Sequence, residues 1–416
     1  MNKVKLKDIA DIQAGPFGTQ LHKSEYVESG IFMINAKNIG NGIIIEEAAD
    51  YVPDSVVDRL PRYLIKEGDI LFGRAGSIER HTYVEKEFDG TFQGTNCIRI
   101  RCHDRTIAKY VSYYLWLKNV KASIENNTGG SVQAYISSDL LKDITIVLPD
   151  EGNIKKITSI LDKLDQKIKN NNAINDNLAK QLNVLYQYWF MQFQFPDKDG
   201  KPYLSNQGEM QYNSRLKKNI PIRWKVQSIA KNDLSSIIKP GVEHFTSKTY
   251  YPTSEVNGTT IGNGAMIDFE TRESRANMQP TEYSVWFAKM KNSVKHLFLN
   301  PELKPIIDSS ILSTGFSGLQ CDEKSFEYIS SVISSEYFET IKDTLAHGAT
   351  QEAVNNDDLA NIFFVIPDNT TLEKYHVVAE KLFSQISNNI IESKELTNLR
   401  DWLLPMLMNG QVSVNS

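Results

Sequence analysis

One short cluster of acidic and basic residues in the sequence could serve metal-dependent hydrolysis. Asp197, Asp199 and Lys201 lie within five residues of one another in PDKDGK. Two carboxylates beside a lysine are the residue types that a metal-dependent nuclease needs. The segment is rich in Pro and Gly, however, and it is too compressed for ligands carried on separate strands. We therefore interpret these residues as turn-forming, without a nuclease role.

Other catalytic signatures are missing from the sequence. It has no GxxxxGK[ST] phosphate loop, no HExxH pair and no GxSxG elbow. It has no Pro-Pro pair, which the [DNS]PP[YFW] tetrapeptide of an adenine methyltransferase would require. The seven histidines are scattered, and Cys97, Cys102 and Cys321 form no CxxC pair, so neither a zinc site nor a disulfide framework is indicated. The sequence thus favours a chain whose chemistry lies in its partners, with no metal and no catalytic residues of its own.

Basic and polar residues gather instead in two stretches whose residue types suit contact with nucleic acid. Lysine and arginine bind phosphates, and amide and hydroxyl side chains also reach base edges. Arg74 stands in GRAGS, where glycine permits close approach to a backbone, although a solvated arginine on a surface turn is an equal alternative. The candidates are Lys37, Asn38, Arg74, Ser77, Arg80, Gln93 and Thr95 in the first stretch, and Arg272, Arg275, Lys289, Lys291 and Lys295 in the second. We expect the interleaved Trp286 and Phe287 to be core residues.

The segments that should position these residues occur twice in the sequence, as an internal repeat. KDITIVLPDEGNIKKITSILDKL at 142–164 matches ANIFFVIPDNTTLEKYHVVAEKL at 360–382. Upstream, residues 129–144 align with 347–362 without a gap, pairing Gly130 with Gly348 and Gln133 with Gln351. Residues 11–93 and 231–312 look unrelated. The chain therefore reads as two halves with matching edges and unlike centres, and we expect the duplicated residues to serve the fold.

Each copy of the repeat predicts a Val/Ile-rich strand ending in Pro and then a long helix. Apolar residues spaced by three and four predict a coiled-coil seam in each helix. In the first helix they are Ile154, Ile157, Leu161, Leu164 and Ile168, and after a polar break Ile174, Leu178, Leu182, Leu185 and Trp189. In the second they are Leu372, Tyr375, Ala379, Leu382 and Ile386, and after a polar break Leu396, Leu399, Leu403 and Leu407. Roughly 40 residues make each helix about 60 Å long. Neither apolar stripe is stable when exposed to water, so we expect the two helices to bury their stripes against each other as an antiparallel pair. Asparagines at 170–172 and 388–389 either fix the register or are merely exposed.

Length and composition indicate a soluble protein with more than one domain. The chain has 416 residues, 41 % hydrophobic and 23 % charged, with a net charge of −5, which argues against a protein that coats nucleic acid. It shows no run of 18 apolar residues and no apolar signal segment, so we expect a cytoplasmic protein and no membrane contact. We expect an α+β fold, a pseudo-two-fold internal repeat of two globular mixed α/β domains separated by two long antiparallel helices. The predicted limits are a domain at 1–150, a helix at 151–195, a linker at 196–221, a second domain at 222–367 and a helix at 368–410.

Several segments, taken in this duplicated order, resemble the DNA-specificity subunit of type I restriction–modification systems. They are LKDIADIQAGPFGTQL (6–21), LIKEGDILFGRAG (64–76), LNVLYQYWFMQFQFPDKDGKPY (182–203), ESRANMQPTEYSVWFAKMKNS (273–293) and LLPMLMNGQVSV (403–414). The second half lacks the GDIL-x-x-R-x-G pattern of the first and has SVWFAKMKNS in its place. The resemblance implies two target-recognition domains that read unlike half-sites of an asymmetric bipartite site in double-stranded DNA, without catalysis.

The resemblance also implies partners that carry the chemistry. These would be two modification subunits using S-adenosylmethionine and restriction subunits using ATP and Mg²⁺. Equivalent partners need equivalent surfaces, so we expect docking on the outer faces of the two helices, which carry Lys155, Lys163, Lys167, Lys180, Glu373, Lys381 and Lys394. Two other readings stay open on the residues alone: a coiled-coil adaptor that does not bind DNA, and a stand-alone DNA-modifying enzyme.

Overall fold

The protein divides into two compact units, each with its own core. The computed structural model describes residues 2–74, 80–127, 135–349 and 351–412. The first unit comprises residues up to Gln166 together with those from Leu396, and the second comprises Lys167–Glu395. Within the described ranges, no helix is long and apolar enough to cross a membrane. The division cuts both long helices, so the domain limits drawn from the sequence stay a prediction.

The first unit combines three small sheets with short helices. The strands β2, β8, β5 and β6 form an antiparallel sheet in that order, β4, β3 and β7 form a second with β3 and β7 parallel, and β1 pairs with β9. The strands are β1 (Asn2–Lys5), β2 (Ala10–Ala14), β3 (Ile31–Ile34), β4 (Asp50–Val52), β5 (Ile70–Gly73), β6 (His81–Tyr83), β7 (Phe92–Gln93), β8 (Cys97–Cys102) and β9 (Thr145–Leu148). The helices are α1 (Leu6–Ile9), α2 (Asp54–Arg59), α3 (Ala108–Leu115), α4 (Lys118–Asn126), α5 (Ser138–Lys142) and α6 (Glu151–Tyr186), the last of which continues into the second unit.

The second unit contains more strands but the same kinds of sheet. Its strands are β10 (Met210–Asn213), β11 (Lys218–Pro221), β12 (Lys225–Ser228), β13 (Ser235–Ile238), β14 (Lys248–Tyr251), β15 (Val256–Asn257), β16 (Thr260–Ile261), β17 (Ala265–Ile267), β18 (Ala276–Met278), β19 (Ser284–Ala288), β20 (His296–Leu299), β21 (Ser310–Ser313), β22 (Phe316–Cys321) and β23 (Phe363–Ile366). Its helices are α7 (Lys304–Ser309), α8 (Phe326–Ile333), α9 (Glu336–Leu345) and α10 (Asn369–Met408), which ends in the first unit. Strands and helices thus mix in both units, and the expected α+β class is confirmed.

The centres that look unrelated in sequence share much of their strand arrangement. The antiparallel sheet β13-β22-β19-β20 has the connectivity of β2-β8-β5-β6, and β12 pairs with β23 as β1 does with β9. The parallel pair β14 and β21 matches β3 and β7. Strand pairing depends on which residues face the core rather than on their identities, so two sheets can keep one order after their sequences have diverged.

A repeated Pro-Asp pair connects the last strand of each half to the long helix that follows it. Proline cannot continue a ladder, and aspartate is a favoured N-cap. The Asp150 carboxylate accepts a hydrogen bond of 3.0 Å from the backbone of Asn153, and that of Asp368 accepts one of 3.0 Å from Thr371. The bond from the Asn153 backbone, together with one from the Asn153 side chain, lowers the pKa of Asp150. The two long helices therefore begin by the same device.

The long helices pack against each other in opposite directions within each unit. In the first unit Ile154, Ile157 and Leu161 are buried in a core that also contains Leu404 and Leu407, and Arg400 contacts Asp165 at 2.9 Å. In the second unit the buried Leu372 and Tyr375 share a core with Leu182. The predicted seam residues Leu164, Ile168, Leu382 and Ile386 are half-buried.

Two residues continue the apolar spacing but do not lie in a seam. Ile174 is 47 % exposed and Leu399 is 42 % exposed, so including them in the seam was wrong. Ile174 follows Ile168 by six residues, a step that rotates a side chain by about 240° at about 3.6 residues per turn and so away from the face that carries Ile168. The apolar stripe is therefore interrupted near the middle of α6 and near the end of α10.

The asparagines divide between the two roles that the sequence left open. The Asn171 amide donates to Glu392 at 2.8 Å and Asn389 donates to Asn175 at 2.8 Å, all between α6 and α10 in the second unit. Asn171 and Asn389 are buried, whereas their neighbours 172 and 388 are exposed. A polar pair across a helix contact favours one register because any slip leaves it unpaired.

The predicted linker at 196–221 has structure of its own. Strands β10 and β11 form an antiparallel hairpin inside it. The Asp197 carboxylate accepts hydrogen bonds from the backbone of Asp199 at 2.8 Å and of Lys201 at 2.9 Å, which is the behaviour of turn-forming residues. Lys374 on α10 donates to the carbonyls of residues 196 and 197 at 3.0 and 2.8 Å. This segment is thus tied to a long helix of its own unit.

Candidate nucleic-acid interface

In the first unit the backbone holds Arg74 at a defined place. The residue follows β5, where its amide donates to the carbonyl of Asn96 at 2.8 Å and its carbonyl accepts from the amide of Ile136 at 3.0 Å. Asn96 belongs to the turn between β7 and β8, and Ile136 belongs to the duplicated segment 129–144. Three separate parts of the chain therefore meet at this strand end.

Two aromatic rings enclose the side chain of Arg74. Its guanidinium carbon lies 4.3 Å from the ring centre of Phe17 and 4.5 Å from that of Tyr135. Both rings are themselves partly open to solvent, Phe17 by 51 % and Tyr135 by 43 %. Burial lowers the pKa of Arg74, but an arginine stays charged at any physiological pH. Cation–π contact therefore restrains a charged group at an accessible surface.

In the second unit Lys289 occupies the same backbone frame. It follows β19, its amide donates to the carbonyl of Gly315 at 2.9 Å, and its carbonyl accepts from the amide of Val354 at 3.0 Å. Gly315 lies in the turn between β21 and β22, and Val354 aligns with Ile136 in the gapless repeat. Lys289 is therefore the structural counterpart of Arg74, although the sequences around them differ.

A second cation lies beside Lys289. Burial lowers the pKa of Lys289, and the positive charge of Arg275 lowers it further. The backbone of Arg275 accepts a hydrogen bond from Thr314 at 2.8 Å. A side chain at Gly315 would place its Cβ 2.9 Å from a methyl group of Thr253 and 3.6 Å from the Arg275 guanidinium. The turn at Gly315 thus lies close to the Arg275 guanidinium and is bonded to the backbone of Lys289.

These cations differ from two other basic residues in their ion pairing. Within the described part of the chain, no carboxylate forms an ion pair with Arg74, Arg275 or Lys289. Lys37 differs, since it pairs with Asp50 at 2.8 Å. Lys291 pairs with Glu352 at 2.7 Å. An uncompensated charge is the better candidate for an anionic ligand because binding has no internal ion pair to break.

Two predicted contact residues belong to the fold instead. Asn38 is fully buried, and its amide donates to the carbonyl of Ile45 at 2.8 Å. Gln93 is also fully buried, and its amide donates to the carbonyl of Gln13 at 2.9 Å. Neither side chain can reach a nucleic acid without unfolding its surroundings, so the prediction for these two was wrong. A sequence shows amide types but not which amides a fold uses internally.

The remaining predicted residues are dispersed. Lys295 donates to the carbonyl of Thr253 at 2.7 Å, and Arg272 donates to that of Phe269 at 2.6 Å while covering its ring. Arg80 and Thr95 are half-buried. Ser77, like Gly130 and Gln133, lies outside the described residues. Trp286 and Phe287 are fully buried, which confirms their expected place in the core.

A buried charged cluster holds the chain that follows Lys289. Lys342 on α9 is fully buried and donates to Glu339 at 2.6 Å and to the carbonyl of Ser293 at 3.0 Å. His296 Nε2 lies 2.9 Å from the other Glu339 oxygen. Burial alone would raise the pKa of Glu339, but hydrogen bonds from His296 and Lys342 outweigh it and hold the pKa below its usual value. The segment 289–296 is thereby fixed to the helix behind it.

Neither Phe17 nor Tyr135 was among the predicted contact residues. Phe17 is in a loop, and Tyr135 lies within the duplicated segment 129–144. The sequence comparison set SVWFAKMKNS in the place of the GDIL-x-x-R-x-G segment. It did not assign Lys289 the position of Arg74, because the chain between each cation and the following repeat differs in length. Counting residues backward from the repeat therefore does not align Arg74 with Lys289, although a comparison of the residues at the ends of the matching strands would have aligned them. Across the described residues, no group of three or more His, Cys, Asp or Glu side chains could hold a metal ion.

Comparison with known proteins finds similarity to one kind of protein. Residues 1–180 match the type I restriction modification DNA specificity domain. The chain is 24 % identical to the type I restriction enzyme MjaIX specificity subunit of Methanocaldococcus jannaschii, over 99 % of this chain and 93 % of that protein. It is 22 % identical to the HindI specificity subunit of Haemophilus influenzae, over 91 % and 94 %.

The fold of a solved structure agrees with this match. The crystal structure of a type I restriction-modification system S subunit from M. genitalium covers 98 % of this chain and 95 % of its own, with a TM-score of 0.51 and 14 % identity. At that identity the likeness concerns the fold alone. Residues 1–180 thus match the type I restriction modification DNA specificity domain, and the chain is similar over nearly its whole length to type I restriction enzyme specificity subunits.

Proposed function

We propose that this chain reads an asymmetric bipartite sequence in double-stranded DNA and directs partner subunits to it, without catalysing a reaction itself. The observation that carries the proposal is the pair of sheets with one strand order and unlike exposed residues. Equal frameworks with different surfaces are what two dissimilar half-sites require. The family match supports DNA specificity as the shared role.

The proposed reading uses the symmetry of the double helix. Proteins that read two half-sites usually do so as dimers, whose two-fold axis matches that of DNA. A chain with an internal repeat reaches the same geometry alone, as a pseudo-two-fold pair of target-recognition domains. Unlike a homodimer, it can recognise different bases on each side. Arg74 in one domain and Arg275 with Lys289 in the other are the cations best placed for this surface.

The proposed role of the long helices is to separate the recognition domains. We propose that α6 and α10 form an antiparallel coiled coil, for which the contacts Arg400–Asp165 and Asn171–Glu392 within the units give support. The polar pairs would keep one register. The helix length would then set the number of unread base pairs between the half-sites.

The proposed partners are two modification subunits and the restriction subunits of the same system. S-adenosylmethionine would be bound by the former, and ATP and Mg²⁺ by the latter. Positions that correspond in the repeat expose similar groups on the helices: Lys163 and Lys381 are exposed, and Val184 and Trp402 are 66 % and 57 % exposed. Two equivalent partners could use these faces. Because the substrate is chromosomal DNA, we propose that the chain acts in the cytoplasm.

Sequencing of DNA modification in the host tests the proposal directly. The methylated sites of a strain that carries the gene are compared with those of a deletion strain and of a complemented strain. We expect one bipartite sequence with two unlike half-sites to lose its methylation in the deletion and regain it on complementation. An unchanged methylation pattern would contradict the proposal. A gel-shift series of the chain with its modification partner then separates a DNA reader from a coiled-coil adaptor, which would shift no duplex.

A further inference from the structure

We propose that Arg74 and Lys289 are equivalent anchors for the DNA sugar–phosphate backbone, one in each recognition domain, and that neither selects bases. The inference rests on the proposed function. It assigns the two cations a role in affinity and register, and it leaves discrimination between sequences to other residues of each sheet.

The equivalence of the backbone frames is the first argument. Each residue directly follows the third strand of its four-stranded sheet order, donates to the turn before the next strand and accepts from the duplicated segment. The partners in that segment, Ile136 and Val354, align without a gap. Two domains that read different bases have no reason to keep a reading residue at a common position. They have every reason to keep a contact that both half-sites offer, and the phosphate chain is that contact.

The chemistry of the two side chains is the second argument. Arginine can bind a guanine edge through two donors, whereas lysine acts as a point charge with freely rotating donors. An Arg at one position and a Lys at the other both attract anionic oxygen, and although both can also contact guanine O6 and N7, phosphate is the one ligand that two unlike half-sites have in common. The common ligand is therefore a phosphate rather than a base.

The surroundings of each cation are the third argument. Rings at 4.3 and 4.5 Å restrain the Arg74 guanidinium before any ligand arrives, which reduces the entropy lost on binding. Lys289 faces the like charge of Arg275, and an anion between or beside them would relieve that repulsion. Lys37 and Lys291 lack this feature because Asp50 and Glu352 already compensate them.

The salt dependence of DNA binding separates an anchor from a reading residue. The probes are two fluorescent 50-base-pair duplexes, one carrying the methylated sequence found in the host and one with both half-sites scrambled. The full chain, co-purified with its modification subunits, is titrated against both at several salt concentrations. We expect Arg74→Gln and Lys289→Gln each to weaken binding to both duplexes by a similar factor. Each should also make the slope of log K against log salt shallower by about one.

Conservative variants and a matched control complete the design. Arg74→Lys and Lys289→Arg should keep the wild-type slope, because the charge remains. Lys225→Gln removes an exposed lysine that pairs with Asp233 at 3.6 Å in the second unit and should also leave the slope unchanged. Thermal unfolding of each variant verifies that the fold is retained.

Two results would overturn the anchor. One is an unchanged slope in both glutamine variants, and the other is a loss confined to the methylated sequence, which would make the residue a base reader. A wild-type complex that fails to prefer the methylated sequence over the scrambled one would instead overturn the proposed function. Wild-type preference combined with unchanged variant slopes would refute the anchor alone.

Discussion

Replacing Lys342 by methionine should destabilise the second unit strongly, although the residue lies on the helix behind the interface. The ammonium is fully buried and bonds to Glu339 at 2.6 Å and to the Ser293 carbonyl at 3.0 Å. Methionine keeps much of the volume but leaves the Glu339 carboxylate, which is 12 % exposed, with His296 as its remaining close partner. Breaking one side of a buried ion pair costs about 3–5 kcal/mol, and we expect a loss near the lower figure because His296 remains.

The pH dependence of this loss of stability follows from the protonation of the Glu339 carboxylate. Hydrogen bonds from His296 and Lys342 hold the pKa of Glu339 below its ordinary 4.5 in the folded wild type. The stabilisation is therefore present above pH 4.5 and disappears as the pH falls through the lower folded value. In the variant, burial without the lysine raises the pKa of Glu339. The difference in unfolding free energy between wild type and Lys342→Met should thus be largest at neutral pH and narrow below 4.5.

Urea unfolding followed by tryptophan fluorescence measures this difference, since Trp286 is buried in the strand that pairs with the one carrying His296. The double variant Glu339→Gln/Lys342→Met should recover most of the loss, because it removes both charges. Lys304→Met provides the control, since Lys304 is 59 % exposed and pairs with Glu282 on the surface, where little change is expected. A Lys342→Met protein as stable as the control variant, or a double variant no better than the single, would refute the reasoning.

Three further predictions concern other parts of the molecule. His81 is buried between Phe72 and Trp116, and burial lowers its pKa to about 3. The free energy of unfolding of the first unit should therefore fall by about 1.4 kcal/mol per pH unit as the pH drops from 6.5 towards that lower value. A His81→Phe variant should lose this pH dependence in acid unfolding experiments, and an unaltered profile would contradict the prediction. Val184→Glu combined with Trp402→Glu should weaken capture of the modification subunit in a pull-down without lowering thermal stability, and undiminished capture would exclude these faces. Removing seven residues in register from both long helices shortens each by about 10 Å at about 1.5 Å per residue. This length corresponds to about three base pairs at about 3.4 Å each, so the spacer in the methylated sequence should shorten by about that number. An unchanged spacer would argue against the proposed spacing role.

The elements that could be predicted from the sequence are those with local causes. Apolar residues at helical spacing, a Pro-Asp start and strand-forming runs before it depend on neighbours along the chain, and α6 and α10 begin where the Pro-Asp pairs predict. The wrong seam positions, Ile174 and Leu399, show the limit of this reasoning. Whether a spaced apolar residue faces a partner depends on accumulated helix phase, which spacing over one or two turns does not determine.

The contact residues were harder to predict because their environment is made by distant segments. Asn38 and Gln93 have side chains suited to reading bases, but carbonyls from other parts of the first unit occupy them. Conversely, Arg74 gains its two aromatic neighbours from a loop near the start of the chain and from the duplicated segment. The equivalence with Lys289 rests on backbone hydrogen bonds, and a sequence comparison does not detect those when the intervening lengths differ.

A frame made of main-chain amides and carbonyls is indifferent to side-chain identity. Each strand-end cation is held by such bonds to a turn and to the duplicated segment, so its position does not depend directly on the side chains at the sheet surface. The DNA sequence that the chain prefers can then change while the contacts that hold the DNA backbone are kept. A lineage of such chains could drift rapidly among new recognition sequences without passing through forms that no longer hold DNA.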